Sequence, residues 1–354
     1  MAEPLAPGAR IGVLGGGQLG RMLALAAARL GFATRIFEPG DACAAPVVEQ
    51  VTRAGYDDAA ALRAFAAGVD VLTYEFENVP LAAIDAVAGI VPVRPGRRAL
   101  EVAQDRIAEK DFLTGVGLRT APYAAVDDAA SLAAAVARIG TPAILKTRRL
   151  GYDGKGQARI AAPADAEPAL AAIGGGPAIL EGFVAFEREI SVIAARGLDG
   201  GVVAFDPGEN VHRDGILHTT TVPARISAAV AQDAALLAGR ILNALDYVGV
   251  IGVELFVTEG GLLVNEIAPR VHNSGHWTQD ACLIDQFEQH IRAVAGWPLG
   301  DGSRHSDAVM ENLIGAEIAT VPGLRDAAVH VYGKAEARPG RKMGHVTRLT
   351  ARRA

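Results

Sequence analysis

Residues 250–267 read VIGVELFVTEGGLLVNEI, two apolar runs parted by Thr258-Glu259-Gly260. Runs rich in Val, Ile and Leu around a short glycine-containing turn predict a β-hairpin, with strands over 250–257 and 261–267. Each arm carries one acid, Glu254 and Glu266. They stand twelve residues apart, and a turn centred on Thr258 to Gly261 is expected to bring both carboxylates together on one face. Two carboxylates among Ile, Val and Leu repel and lose hydration unless a cation joins them. Oxygen ligands favour Mg²⁺, with Mn²⁺ also suitable, and Mg²⁺ commonly bridges carboxylates to substrate phosphates. Asn265 offers a neutral oxygen beside them. The plainer alternative is a hairpin whose acidic face simply meets water.

A phosphate site is then needed elsewhere in the chain. KTRRLGYDGKGQ, residues 146–157, follows a predicted strand over 143–147 and concentrates glycines and cations. It is not a Walker A loop, because no Gly-Lys-Ser/Thr opens a helix. Its glycines free backbone donors and let the loop fold over a polyphosphate. Lys146 sits at the strand end, whereas Lys155 approaches an anion only when the loop closes. The chain has five lysines in all, so two within one stretch carry weight. The alternative is an exposed glycine loop with incidental charges.

Towards the N-terminus, RIGVL (10–14) runs into Gly15-Gly16-Gly17-Gln18-Leu19-Gly20 and an Ala/Leu-rich helix over about 19–30. Strands are expected at 34–38, 70–74 and 90–93, with helices near 57–67 and 80–87. This alternation predicts a parallel sheet covered on both faces, an α/β domain over residues 1–100. Gly15-x-Gly17-x-x-Gly20 with Glu38 at the next strand end matches a dinucleotide fingerprint. The weaker reading is that N–H groups at the helix start hold some phosphate or carboxylate.

Helices are expected over 99–115, carrying Arg106 and Lys110, over 127–139 and over 225–244. The tract 158–176 reads as surface helix and loop. Closely spaced strands at 178–180, 188–195 and 201–205 suggest antiparallel or mixed pairing. After the hairpin, APRVHNSGHWTQD (268–280) gathers Arg270, His272 and His276. The Asn-Ser-Gly between the histidines disfavours a helical zinc pair, and a polar loop for a hydroxylated or phosphorylated ligand fits better. Residues 299–354 read as a small strand-rich tail.

Across 354 residues, 50% are apolar and 21% charged, suiting a folded protein of two or three domains. A net charge of −6 with mixed signs argues against nucleic acid or an anionic membrane as partner. No long uncharged apolar run predicts a membrane span, and no signal peptide is expected. Cys43 and Cys282 are far apart, which fits a reduced, cytoplasmic protein.

Taken in order, GGGQLGRM (15–22), TYEFENVP (73–80), QDRIAEK (104–110), GYDGKGQ (151–157), EGFVAFEREIS (181–191), NEIAPRVHNSGHWTQD (265–280) and RPGRKMGH (338–345) resemble the ATP-grasp superfamily. Within it they resemble the carboxyaminoimidazole ribonucleotide synthase family over essentially the whole chain. The resemblance implies an α/β ATP-grasp fold: an N-terminal Rossmann-like (pre-ATP-grasp) domain over 1–100, an ATP-grasp domain over 101–298 with a lid at about 120–186, and a small strand-rich C-terminal domain over 299–354. It implies ATP and Mg²⁺ (or Mn²⁺) as cofactors, aminoimidazole ribonucleotide and bicarbonate as substrates, and a homodimer. Arg106 and Lys146 would then bind phosphates beneath a lid of Gly151, Tyr152, Asp153, Gly154, Lys155, Gly156 and Gln157. Glu181, Gly182, Phe183 and Val184 would meet adenine, and Glu189 the ribose, with His212 nearby. Glu254 and Glu266 would hold the metal, with Asn265 alongside.

The ribonucleotide would contact Gln18, Leu19, Glu75, Tyr152, Asp153, Arg270, His272, Lys342 and His345. Lys146, Asp153, Lys155, Arg270 and His272 form the implied catalytic set, with either Asp153 or His272 taking the amine proton. Glu181-Gly182, where many relatives carry two acids, departs mildly from the pattern. A related ATP-grasp ligase would share the ATP residues but not the 268–280 and 338–345 loops. An NAD-linked oxidoreductase, resting on the glycines and Glu38, leaves Lys146, the loop, Glu254 and Glu266 without a role. A non-enzymatic nucleotide-binding protein would tolerate loss of Glu254.

Overall fold

The structure is a computed structural model and describes residues 3–151 and 156–353. Strands β1 (Arg10–Leu14), β2 (Ala33–Phe37), β3 (Gln50–Thr52) and β4 (Val71–Tyr74) form a parallel sheet in the order β3-β2-β1-β4. Ile11, Val13, Val71 and Leu72 are fully buried, as expected where helices cover both faces. Strand β3 is short and half-exposed and leaves no apolar signal in the sequence. The expected strand at 90–93 reduces to a single bridge from Val93 to Leu72. From β1 the chain turns through Gly15, at φ +105°, into the helix Gln18–Arg29. A side chain at Gly15 would collide with Glu75, so glycine is required there twice over.

The expected helix over 99–115 is two helices, Arg97–Ala103 and Arg106–Gly115. Asp105 breaks them: its backbone is extended, and its carboxylate accepts from the N–H groups of Ile107 and Ala108. Strands β5 (Tyr123–Val126), β6 (Ala143–Thr147), β7 (Gln157–Ile160) and β8 (Ala178–Gly182) then make an antiparallel sheet ordered β5-β8-β6-β7. Strand β7 lies where loop was expected, because its four residues are too few for alternation to show. Helices Ala129–Ile139 and Ala166–Ala172 cover this sheet through Leu132, Val136 and Leu170.

The largest sheet contains β9 (Arg188–Arg196), β10 (Val202–Ala204), β11 (Gly208–Arg213), β12 (Ile216–Val222), β13 (Gly249–Thr258), β14 (Gly261–Ala268), β15 (Ser306–Ile314), β16 (Ala328–Val331) and β17 (Lys342–Ala351). Its order is β14-β13-β9-β11-β12-β15-β17-β16, with β10 beside β9. The C-terminal strands join this sheet through β15 against β12. Along β13 the odd residues Ile251, Val253, Leu255 and Val257 pack under the helix Ala228–Ala244. The even residues face the other way, and Glu254 is among them. A one-residue slip would expose the odd set at about 1.5–3 kcal/mol per side chain, which pins the register.

Candidate active site

Glu254 pairs directly with Glu266 across the hairpin, but not by regular pairing. From Thr258↔Gly261 to Leu255↔Val264 the ladder is regular, and continued it would set Glu254 against Asn265. A bulge at that point inserts Asn265 and brings Glu266 opposite Glu254. The twelve-residue spacing alone would have put the acids on opposite faces. Core packing agrees: Val264 and Ile267, an odd three residues apart, both join the core under the Ala228–Ala244 helix.

Their electrostatics differ. Burial and the facing Glu266 push Glu254 up to about 7. Burial also opposes ionisation of Glu266, yet Arg106 and Lys146 overcome it and hold that carboxyl below the usual range. Arg106 Nη1 lies 3.0 Å from Glu266 Oε2. Two close carboxylates, one retaining a proton near neutrality, fit a divalent cation that would replace that proton. His272 Nε2 is 3.5 Å from Glu254 Oε1. Ser191 donates to Ser274 Oγ, which lies 2.8 Å from His272 Nδ1. The Ser274 hydroxyl therefore donates to Nδ1, which leaves the ring hydrogen on Nε2, facing Glu254. Burial and Arg270 lower the His272 pKa to about 3, so the ring is neutral.

Lys146, at the end of β6, sits 2.8 Å from Glu181 Oε2, and Lys110 Nζ is 3.6 Å from the other carboxylate oxygen. Glu181 thus turns inward to two lysines. The N–H of Gly182 bonds Pro122, and that of Phe183 bonds Pro142. None of Glu181, Gly182, Phe183 and Val184 is among the residues that line the cavity described below. Phe183 is exposed, with the Arg159 guanidinium 5.1 Å over its ring. Glu189 on β9 reaches the cavity, its Oε2 2.6 Å from Nδ1 of His212 on β11. Gly156 accepts the N–H of Thr147, and Gly151 and Gln157 line the cavity. Tyr152, Asp153, Gly154 and Lys155 lie outside the described residues.

On the N-terminal side the expected anion at the glycine turn is the protein's own. Glu75 accepts from the N–H groups of Gly17 and Gly20, and Glu38 from those of Gly16 and Gly40. Glu38 is therefore a turn-bracing acid, and the dinucleotide reading loses its ribose ligand. Burial raises the Glu75 carboxyl against those two bonds. Arg270 is tied to Glu77, and Arg270 with burial acting against it keeps Glu77 ionised down to about 2.

One cavity of about 530 Å³ is lined by Gln18, Leu19, Glu75, Arg106, Lys146, Glu189, His212, Glu254, Asn265, Glu266, Arg270, His272 and Lys342. It joins elements from all three sheets. Phe76, Glu77, Asn78 and Asn273 line it too. Their signal was present in TYEFENVP and HNSGHW, but nothing local singles them out.

His345 is not there. It is fully buried, its Nδ1 2.9 Å from Tyr332 Oη and its ring stacked on His330 at 4.5 Å. Asp280, His330 and His345 bring possible ligand atoms within 4.8 Å of one another. The two rings lie 12° from parallel, so their in-plane lone pairs do not converge on one ion.

Residues 9–104 match the ribonucleotide synthetase preATP-grasp domain, 111–287 the ATP-grasp domain, and 308–354 the phosphoribosylaminoimidazole carboxylase C-terminal domain. The N5-carboxyaminoimidazole ribonucleotide synthase of Brucella melitensis is 58% identical over 98% of both chains. The crystal structure of the Thermus thermophilus synthetase of that name shares 47% identity and a TM-score of 0.90, covering 96% of this chain and 93% of that one. The Aspergillus clavatus synthase, solved with ADP and aminoimidazole ribonucleotide, shares 31% identity at a TM-score of 0.92, over 98% and 94% of the chains. This chain belongs to the N5-carboxyaminoimidazole ribonucleotide synthase family of ATP-grasp ligases.

Proposed function

We propose that this protein carboxylates the exocyclic amine of 5-aminoimidazole ribonucleotide with bicarbonate, converting ATP to ADP and phosphate and giving N5-carboxyaminoimidazole ribonucleotide. The observation that carries this is the single cavity in which Arg106, Lys146, Glu254 and Glu266 face Gln18, Leu19, Arg270, His272 and Lys342. The Aspergillus relative, holding ADP and the ribonucleotide together in the same fold, supports it.

Bicarbonate oxygen attacks the γ-phosphorus of ATP and the bond to ADP breaks, which leaves carboxyphosphate. The amine nitrogen attacks its carbonyl carbon, or CO₂ released from it in the closed site. Phosphate departs, and the amine gives up a proton. Arg106 and Lys146 offset charge on the transferred group, with Lys155 added from the loop. Glu254 and Glu266 would hold Mg²⁺ or Mn²⁺, which neutralises phosphate charge during transfer. Arg270, fixed by Glu77, and Lys342 bind the anionic ribonucleotide beside Gln18 and Leu19. His272 is neutral and presents N–H from Nε2, so it acts as a donor, and Asp153 takes the amine proton. Tyr152 and the glycines of 151–157 shield carboxyphosphate from water.

The reading includes a cytoplasmic homodimer, which rests on the family resemblance and on two cysteines without a disulfide. ADP release is to be measured with bicarbonate, with and without aminoimidazole ribonucleotide. Strong dependence on the ribonucleotide is expected, and indifference to it would overturn the assignment.

A further inference from the structure

Strand β14 lies at one end of the largest sheet, and among the described residues its outer edge has no full partner strand. Thr120 forms only an isolated bridge to Val264 there. Beyond it, two side chains grip the edge at the bulge. Lys110 Nζ donates to the carbonyl of Asn265 at 2.6 Å, and Glu109 Oε1 accepts the N–H of Ile267 at 2.7 Å. These are the peptide groups on either side of Glu266. Arg106, one turn earlier on the same helix, holds the Glu266 carboxylate itself at 3.0 Å. The i, i+3, i+4 spacing puts all three side chains on one helix face.

Glu109 and Lys110 are 2% and 1% exposed. Ionisable groups at that depth are costly unless their partners are well placed, and a plain helix–sheet contact would be cheaper with apolar residues. Lys110 also lies 3.6 Å from the Glu181 carboxylate, but the hydrogen bonds of Glu109 and Lys110 to the edge strand go to the two peptide groups that fix how the bulge presents one carboxylate. Regular pairing would offer Asn265 to the site instead.

We propose that Glu109 and Lys110 are positioning residues that hold the Asn265 bulge in register, so that Glu266 faces Glu254 and the pair can bind a divalent cation. This rests on the reading of Glu254 and Glu266 as the cation ligands. The helix Arg106–Gly115 thereby links the cation site to the segment that carries the phosphate-binding Arg106.

The test is Mn²⁺ binding to the full chain with ADP, followed by the electron paramagnetic resonance of free Mn²⁺. ADP affinity without metal and the thermal midpoint are measured alongside. Lys110→Met and Glu109→Met are expected to weaken Mn²⁺ binding by roughly 10- to 100-fold, as loss of outer-shell partners does, while metal-free ADP affinity holds. Glu109→Gln keeps a carbonyl acceptor and is expected to restore Mn²⁺ affinity. Wild-type Mn²⁺ affinity in a folded Lys110→Met protein overturns the proposal. So does a fall in metal and ADP affinity together, in step with the thermal midpoint. If Lys110→Met does not fold, the Glu109 pair decides, and equal behaviour of Met and Gln overturns it. Should Glu266→Gln bind Mn²⁺ as tightly as wild type, the cation reading itself fails, a pattern distinct from all of these.

Discussion

Glu77 and Arg270, 193 positions apart, form a charge pair that joins the loop after β4 to the loop after β14. The pair fastens the parallel sheet to the largest one at the rim of the cavity. Glu77 titrates at about 2, below the ordinary carboxylate value, because Arg270 outweighs its burial. A depressed acid stabilises the native state above its unfolded pKa, and that stabilisation is lost as pH falls through the folded value. Glu77→Gln is therefore expected to lower the thermal midpoint at pH 7, and the deficit relative to wild type is expected to shrink between pH 4.5 and about 2. Melts of both proteins across that window check it; a deficit independent of pH would contradict the pairing. The same substitution frees Arg270 and is expected to raise KM for the ribonucleotide more than KM for ATP.

Lys146 is expected to matter for chemistry rather than folding. Glu181 retains Lys110 when Lys146 is lost, so the buried carboxylate is not left alone. Lys146→Met should fold with a near-normal thermal midpoint and lose on the order of 10²–10³ in kcat, the scale seen when one preorganised transition-state donor is removed. Glu181 should at the same time rise towards the ordinary range, since Lys146 is the stronger of the two lysines holding it down against burial. Steady-state kinetics beside calorimetry separate the two effects.

The legible parts of this molecule are those where one local pattern has one structural solution. The strand–glycine turn–helix at 10–29 and the hairpin at 250–267 are of that kind, because apolar period and turn residues agree. Strands β3 and β7 escaped notice because three or four residues carry no period. The bulge at Asn265 is invisible for a different reason. Nothing in VNEI marks an extra residue, and it is fixed by Glu109 and Lys110, more than 150 positions away. His345 belongs to the RPGRKMGH motif yet lies buried behind the cavity wall, which motif membership alone does not reveal. Glu75 and Glu38 show the converse: the sequence correctly called for a negative group at the glycine turn, and the protein supplies its own.

Metal and proton should compete at Glu254. Its carboxyl sits at about 7 through burial and the charge of Glu266. Apparent Mn²⁺ affinity is therefore expected to weaken as pH falls from 8 to 6, approaching a tenfold loss per pH unit below the pKa. For the metal-free protein the sign is opposite. A raised acid makes the native state bind more protons than the unfolded chain, so its contribution to stability declines as pH rises from about 4.5 to 7. Glu254→Gln removes this dependence and should gain on wild type in thermal midpoint as pH rises through that range. A flat difference between the two proteins would show that Glu254 is ionised throughout.

His345 and His272 offer a direct contrast between support and contact. His345→Phe keeps the stack on His330 but leaves the buried Tyr332 hydroxyl without its ring nitrogen, a loss of about 1–3 kcal/mol in stability. With no surface in the cavity, His345→Phe is expected to leave KM for the ribonucleotide within the ordinary range of a surface change while lowering the thermal midpoint. His272→Asn should do the reverse. It removes the Nε2 hydrogen that faces Glu254 and lines the cavity, so kcat should fall with only a modest change in midpoint. Because His272 is already neutral well above its pKa of about 3, the wild-type rate should show no titration of this ring between pH 6 and 8. A ribonucleotide KM that rises steeply in His345→Phe at unchanged stability would mean that the ring turns out to meet substrate after all.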